Sequence, residues 1–249
     1  MFGFFLSMPT PTNPALSSGA RLDDLLSLAK SKYPVEFETI GIGDVQLRVL
    51  QIKDMEAYIE QLAASSGTQD GLELPFWAKI WPTSMLLSHI LSTCGVNGLN
   101  VLELGAGIGV CGMVAACMGA RVTLTDCHPD ALLFARINVM KNDLEDRIQL
   151  ADVDFTTDRM PQRFERIIGS EILYRESTYS PLVQFLDSHL TPEGEILLAK
   201  SHIFRSQGFY ALAEKTFNLQ EKSLGYKETS PHSNEPERHV CRILRMTRK

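Results

Sequence analysis

Apolar positions along the first seventy residues follow helix spacing, then strand alternation, then helix spacing again. Leu22, Leu25, Leu26 and Ala29 recur at helical intervals and predict a short amphipathic helix over 21–31. In "VEFETIGIGDVQLRVLQI" two β-prone runs alternate around residues 41–44, the pattern of a hairpin. Residues 54–65 read as a helix and "SSGTQDG" as a loop. From Pro82 onward the rhythm becomes strand–helix–strand. Helices are predicted over 84–94, 110–118, 129–142, 179–190 and 207–217. The intervening strands are "NVLEL", "RVTLTD", "RIQLADVD", "ERIIGSE" and "EILLAKS", with "RHVCRILRMT" closing the chain. "TPEG" reads as a turn and residues 227–239 as a long exposed loop. Strands alternating with helices in this way predict an α/β fold: a Rossmann-like, doubly wound, mostly parallel sheet.

The chain has 249 residues, 44% of them hydrophobic, which fits one such domain with an N-terminal appendage. The expected division is a disordered leader at 1–20, a helix and β-hairpin extension at 21–74, and the main domain at 75–249. A balance of 24 basic against 30 acidic residues argues against a broad nucleic-acid footprint. No run approaches the ~20 apolar residues of a membrane span. Five scattered cysteines without a Cys-x-x-Cys pair read as reduced thiols, so the expected compartment is the cytoplasm. The six histidines lack ligand spacing, and no metal is expected. A monomer is the expected state.

The chemistry concentrates in "VLELGAGIGV", residues 101–110, where an apolar strand passes through Gly105, Ala106, Gly107 and Gly109 into a helix. Glycines let the backbone turn sharply and approach a ligand, and the helix behind offers free N–H groups. Asp126 ends the next strand, where a carboxylate can accept both ribose hydroxyls of a nucleoside. Residues 107–112 match the dinucleotide pattern G-x-G-x-x-G literally, but that register drives the strand through Gly105 and Ala106. The register beginning at Gly105 puts Glu103 two residues upstream. An acid there is unfavourable for a pyrophosphate and useful for the amino group of a methionine moiety. S-adenosylmethionine is therefore the expected cofactor.

Two further segments bear on the reaction. "PFWAKIWPTSMLL" places Trp77 and Trp81 before a proline-marked helix start. Trp77 reads as packing and Trp81 as a candidate wall of the cofactor pocket. "IIGSEILYRES" puts Ser170, Glu171 and Tyr174 at the carboxyl end of the fourth core strand, the end at which open α/β sheets bind ligands.

Together these motifs resemble the class I, seven-strand protein-lysine methyltransferases of the methyltransferase 16 family, over about residues 75–200. The resemblance implies seven strands with an antiparallel strand at the C-terminus. It implies S-adenosylmethionine contacts at Trp81, Glu103, Gly105, Ala106, Gly107, Gly109, Asp126, Asp154, Phe155 and Ser170. Glu171 and Tyr174 would be catalytic, facing a lysine of a protein substrate. This chain departs from the pattern twice: the signature acid is Glu171 rather than Asp, and Asp154-Phe155 stands where many members carry Asp-Trp. A small-molecule amine, or a histidine, arginine or glutamine of a protein, is the alternative acceptor. A silent cofactor-binding domain is the alternative from outside the enzymes.

Overall fold

In a computed structural model of the chain, residues 13–65, 74–203, 206–229 and 236–249 are described. The N-terminal extension comprises α1 (Leu22–Lys32), an antiparallel hairpin of β1 (Val35–Ile42) and β2 (Val45–Ile52), and α2 (Met55–Ser65). The main domain runs α3 (Pro82–Leu91), β3 (Asn100–Leu104), α4 (Val110–Cys117), β4 (Arg121–Asp126), α5 (Pro129–Lys141) and β5 (Ile148–Asp152). It continues with β6 (Phe164–Ser170), α6 (Tyr179–His189), β7 (Leu190–Ser201), α7 (Gln207–Ala213), β8 (Phe217–Thr229) and β9 (Pro236–Arg248).

Seven strands form one sheet in the order β5-β4-β3-β6-β7-β9-β8, with β9 antiparallel to both neighbours and the other pairings parallel. The α/β class and the antiparallel C-terminal strand agree with the sequence-based expectation. The C-terminal third differs in detail. The seventh strand is β8, which alternation had not revealed; the helix before it ends at Ala213. Most of the loop expected at 227–239 is strand, since Lys227–Arg238 and Thr229–Pro236 are ladder pairs; residues 230–235 lie outside the described ones. "TPEG" belongs to β7, which pairs at Phe164–Leu190, shifts register, and resumes at Arg166–Glu195. A strand long enough to absorb a register shift hides the turn residues within it.

Because strand side chains alternate, β3 divides its residues between the faces of the sheet. Val101 joins the core around α3, α4, α5 and the hairpin, whereas Leu102 and Leu104 join the core around α6 and α7. The extension docks on α5. Lys32 and Tyr33 reach Asp130 at 2.6 and 2.7 Å, and Asn142 exchanges hydrogen bonds with the Arg48 backbone. Within the segment expected as leader, residues 13–20 are ordered: Asn13 caps a 3-10 turn, bonds the Pro129 carbonyl at 3.3 Å, and Ala15 is buried. Residues 1–12 lie outside the described ones. Among the described residues no helix is long and apolar enough to cross a membrane.

Candidate active site

The site forms where β3 and β6 lie side by side with their following loops in contact. The chain leaves β3 toward β4 and returns at β6, the switch point at which open sheets bind ligands. Gly105, Gly107 and Gly109 have φ of 59°, 54° and 84°, so this loop takes a path closed to most side chains. A Cβ on Gly105 would lie 2.8 Å from Ile172 of the β6 loop, and one on Gly107 would lie 2.6 Å from the Trp77 carbonyl. The loop is thus enclosed by residues 76–78 on one side and the loop after β6 on the other.

Asp126 stands at the end of β4 on the face shared with Leu124. Its Oδ2 accepts from the Gly107 amide and its Oδ1 from the His128 amide, both at 2.9 Å. Burial pushes its carboxyl up, against these hydrogen bonds and the nearby His128. A half-buried acid already anchoring the glycine loop, with lone pairs in reserve, suits the paired hydroxyls of a ribose.

Glu103 shares the Val101 face and so points beneath α4. It is 3% exposed, and its Oε2 accepts from the Gly112 amide at 2.7 Å in the helix's first turn. Burial raises its carboxyl to about 8, countered by the Gly112 amide and the Cys111 thiol. From this position Glu103 supports the glycine loop and the start of α4 from below.

The tryptophans also divide their roles. Trp77 stacks on His128 with ring centroids 5.0 Å apart and packs edge-on against Tyr33 and Phe134. Its backbone carbonyl is what closes over Gly107. Trp81 is the N-cap of α3; its indole donates to the Phe76 carbonyl at 3.1 Å, with Lys79 over the ring. Asp154 caps its own turn through Thr156, and Phe155 packs half-buried against the α6 and α7 core.

At the end of β6, Ser170 donates to the Thr83 hydroxyl at 2.9 Å. Glu171 follows with φ of 55°, a left-handed conformation unusual for a non-glycine residue. Its amide still pairs with Ala199 at 2.9 Å, and its Oε1 accepts from the Ser201 amide at 2.8 Å. Burial raises its carboxyl, opposed by the Thr83 hydroxyl, the Ser201 amide and the Lys200 charge. Tyr174 lies outward, 57% exposed, with the Arg175 guanidinium 5.3 Å from its ring centroid.

The structure thus brings Gly105–Gly109, Asp126, Ser170 and Glu171 together at one end of the sheet. Sequence reasoning missed Thr83, His128 and Asn138. Thr83 had a usable signal, a hydroxyl in the first turn after Pro82. Asn138 had none: its amide donates to the Ile108 carbonyl at 3.0 Å and accepts from Leu50 of β2 at 2.6 Å, joining parts far apart in sequence.

Residues 66–216 match the family profile described as lysine methyltransferase. The chain belongs to the lysine methyltransferase family. Over 164 residues it is 35% identical to the protein N-lysine methyltransferase METTL21A of Danio rerio, covering 62% of this chain and 74% of that one. Over 134 residues it is 31% identical to the EEF1A lysine methyltransferase 3 of Xenopus tropicalis, covering 52% and 59%. Its fold resembles that of an Agrobacterium tumefaciens SAM-dependent methyltransferase, with a TM-score of 0.61 at 17% identity over 86% of this chain and 71% of that one. The activity is transfer of a methyl group from S-adenosylmethionine to a lysine of a protein, the enzyme class and cofactor expected from the sequence.

Proposed function

We propose that the acceptor lysine enters beside Glu171, with S-adenosylmethionine held across the carboxyl ends of β3 and β4. Gly105, Ala106, Gly107 and Gly109 would carry the cofactor's methionine part. Asp126 would take its ribose hydroxyls, with Trp81, Asp154, Phe155 and Ser170 around the remainder and Glu103 acting through the loop. The fit rests on the loop's positive φ values, the lack of room for a Cβ at Gly105 and Gly107, and the half-buried acid at Asp126.

When bound, the cofactor supplies an electrophilic methyl on a sulfonium. The chain's part is to bind, orient and desolvate the amine. A lysine arrives as ammonium, with an ordinary pKa near ~10.4, and must lose a proton before its lone pair is free. The Glu171 carboxylate attracts and aligns that amine. Tyr174 walls the channel at its mouth. The reading includes action in the cytoplasm, as a monomer, without nucleic acid.

The observation that carries this proposal is the fixed Glu171 carboxylate, held on a left-handed backbone by the Ser201 amide beside the loop that encloses Gly105. Replacing Glu171 with Ala is expected to cut methyl transfer at least about a hundredfold, while donor affinity measured by calorimetry stays within about twofold. Equal loss of transfer and donor binding would overturn the assignment.

A further inference from the structure

We propose that Lys200 is a positioning residue for methyl transfer: through the Ser206 hydroxyl it fixes the loop after β6 that carries Glu171 and Tyr174. The inference rests on the reading of Glu171 given above. Lys200 lies near the end of β7, one residue before Ser201, and is 1% exposed. Its ammonium donates to the Ser206 hydroxyl at 3.1 Å, and that hydroxyl donates to the Leu173 carbonyl at 3.4 Å. The direction of this chain is fixed. A carbonyl only accepts, so the one proton of Ser206 goes to Leu173 and its oxygen is left to receive from Lys200. Ser206 is also the N-cap of α7, where a serine side chain ordinarily accepts from an amide of the first turn. Here its side chain makes no capping bond and serves Lys200 and Leu173 instead. The Tyr179 hydroxyl is a second donor to the same carbonyl, at 3.3 Å.

Strand alternation lets three consecutive residues of β7 hold both ends of the segment from Glu171 to Leu173. On the backbone, the Ala199 carbonyl takes the Glu171 amide and the Ser201 amide donates to the Glu171 carboxylate. Between them the Lys200 side chain turns to the face of Leu198 and reaches Leu173 by way of Ser206. The left-handed backbone of Glu171 has a conformational cost and persists only where its surroundings hold it. Core stability does not call for a cation here. Burying an ammonium is costly, and an apolar residue of like volume commonly serves a core as well or better. The cation has its own setting: Nζ lies 5.7 Å from the Tyr210 ring centroid, the Tyr210 hydroxyl bonds Glu221, and Glu221 pairs with Arg242 at 3.0 Å. Burial and the Arg242 charge push the Lys200 ammonium down, opposed by Glu221 and Glu171.

The test compares Lys200→Met, Ser206→Ala and the double variant, with Ser206→Thr as the conservative control. Tritiated S-adenosylmethionine is the donor, and protein extract from cells lacking this enzyme is the acceptor. Each single variant should cut the initial rate of transfer about tenfold, the loss that a small misplacement of reacting groups brings. The double variant should be no slower than either single one, because both break the same chain. Ser206→Thr keeps the hydroxyl and should stay within about threefold of the wild-type rate. Donor affinity by calorimetry should stay within about twofold, and the Tm of Lys200→Met should match or exceed that of wild type. Ser206→Ala against Ser206→Thr carries the comparison if Lys200→Met does not fold. Losses that multiply to about a hundredfold in the double variant, or wild-type rates in both single variants, overturn the proposal. A lowered Tm with an intact rate in Lys200→Met overturns it too, since that is the signature of a core role alone. If Glu171→Ala keeps full activity, the reading of Glu171 falls and this inference with it. If Glu171→Ala is inactive while Lys200→Met and Ser206→Ala transfer at the wild-type rate, only the inference falls.

Discussion

The Gly107 amide donates to Oδ2 of Asp126 at 2.9 Å, across nineteen residues of sequence, so the acid at the end of β4 also sets the path of the glycine loop. The carboxylate is half-buried and binds the His128 amide as well. Asp126 therefore braces the loop, and in the proposed function it is also the ribose ligand.

Replacement of Asp126 by Ala removes both functions together. Donor affinity should fall at least about a hundredfold, since a charge-assisted pair and the loop's geometry are lost at once. Calorimetric titration with S-adenosylmethionine reads this directly. An affinity within threefold of wild type would exclude Asp126 from the cofactor site.

Asn138 couples the extension to the site. It is buried, and one side chain serves both the Leu50 amide of β2 and the Ile108 carbonyl inside the glycine loop. Asn138→Leu fills a similar volume but leaves two buried backbone groups without partners. The expected cost is ~3 kcal/mol, a fall in Tm of about 6–12 °C for a chain of this size. Donor binding should weaken with it. A thermal melt with unchanged Tm would show that the hairpin and the loop are not joined through this residue.

Glu103 makes the stability depend on pH. Its carboxyl is raised from an ordinary 4.5 to about 8, chiefly by burial. Between those values the folded chain holds a proton that the unfolded chain has released. Stability from this group is therefore greatest below pH 4.5 and is lost as pH rises toward 8. Glu103→Gln keeps an acceptor for Gly112 and cannot ionise. Its Tm should fall less than that of wild type as the pH is raised through this window. Parallel Tm profiles for the two proteins would contradict a buried, proton-holding Glu103.

Much of this protein was legible in its sequence because the relevant physics is local. The 3.6-residue and two-residue periods placed α1, α5, β3 and β4 within a residue or two, and glycines at 105, 107 and 109 announced a turn that only small residues take. Asp126 was legible because an acid ending the second strand of such a sheet must emerge at the ligand end. The register shift in β7 and the strand β8 were not legible, since both depend on partners supplied by the ladder rather than on local preference.

What only the tertiary structure decided is which atoms face which. Strand alternation turns Glu103 into the core beneath α4, although the residues that follow it in sequence form the glycine loop. The approach of residues 76–78 gives Gly107 a lid of Trp77 backbone and leaves the Trp81 indole bonded to Phe76. Thr83, Ser170, Glu171 and Ser201 come from three elements that meet only when the sheet closes. Sequence determines the periods and the candidate chemistry because those follow from each residue and its near neighbours. The direction of a hydroxyl or a carboxylate follows from groups tens of residues away, and only folding supplies them.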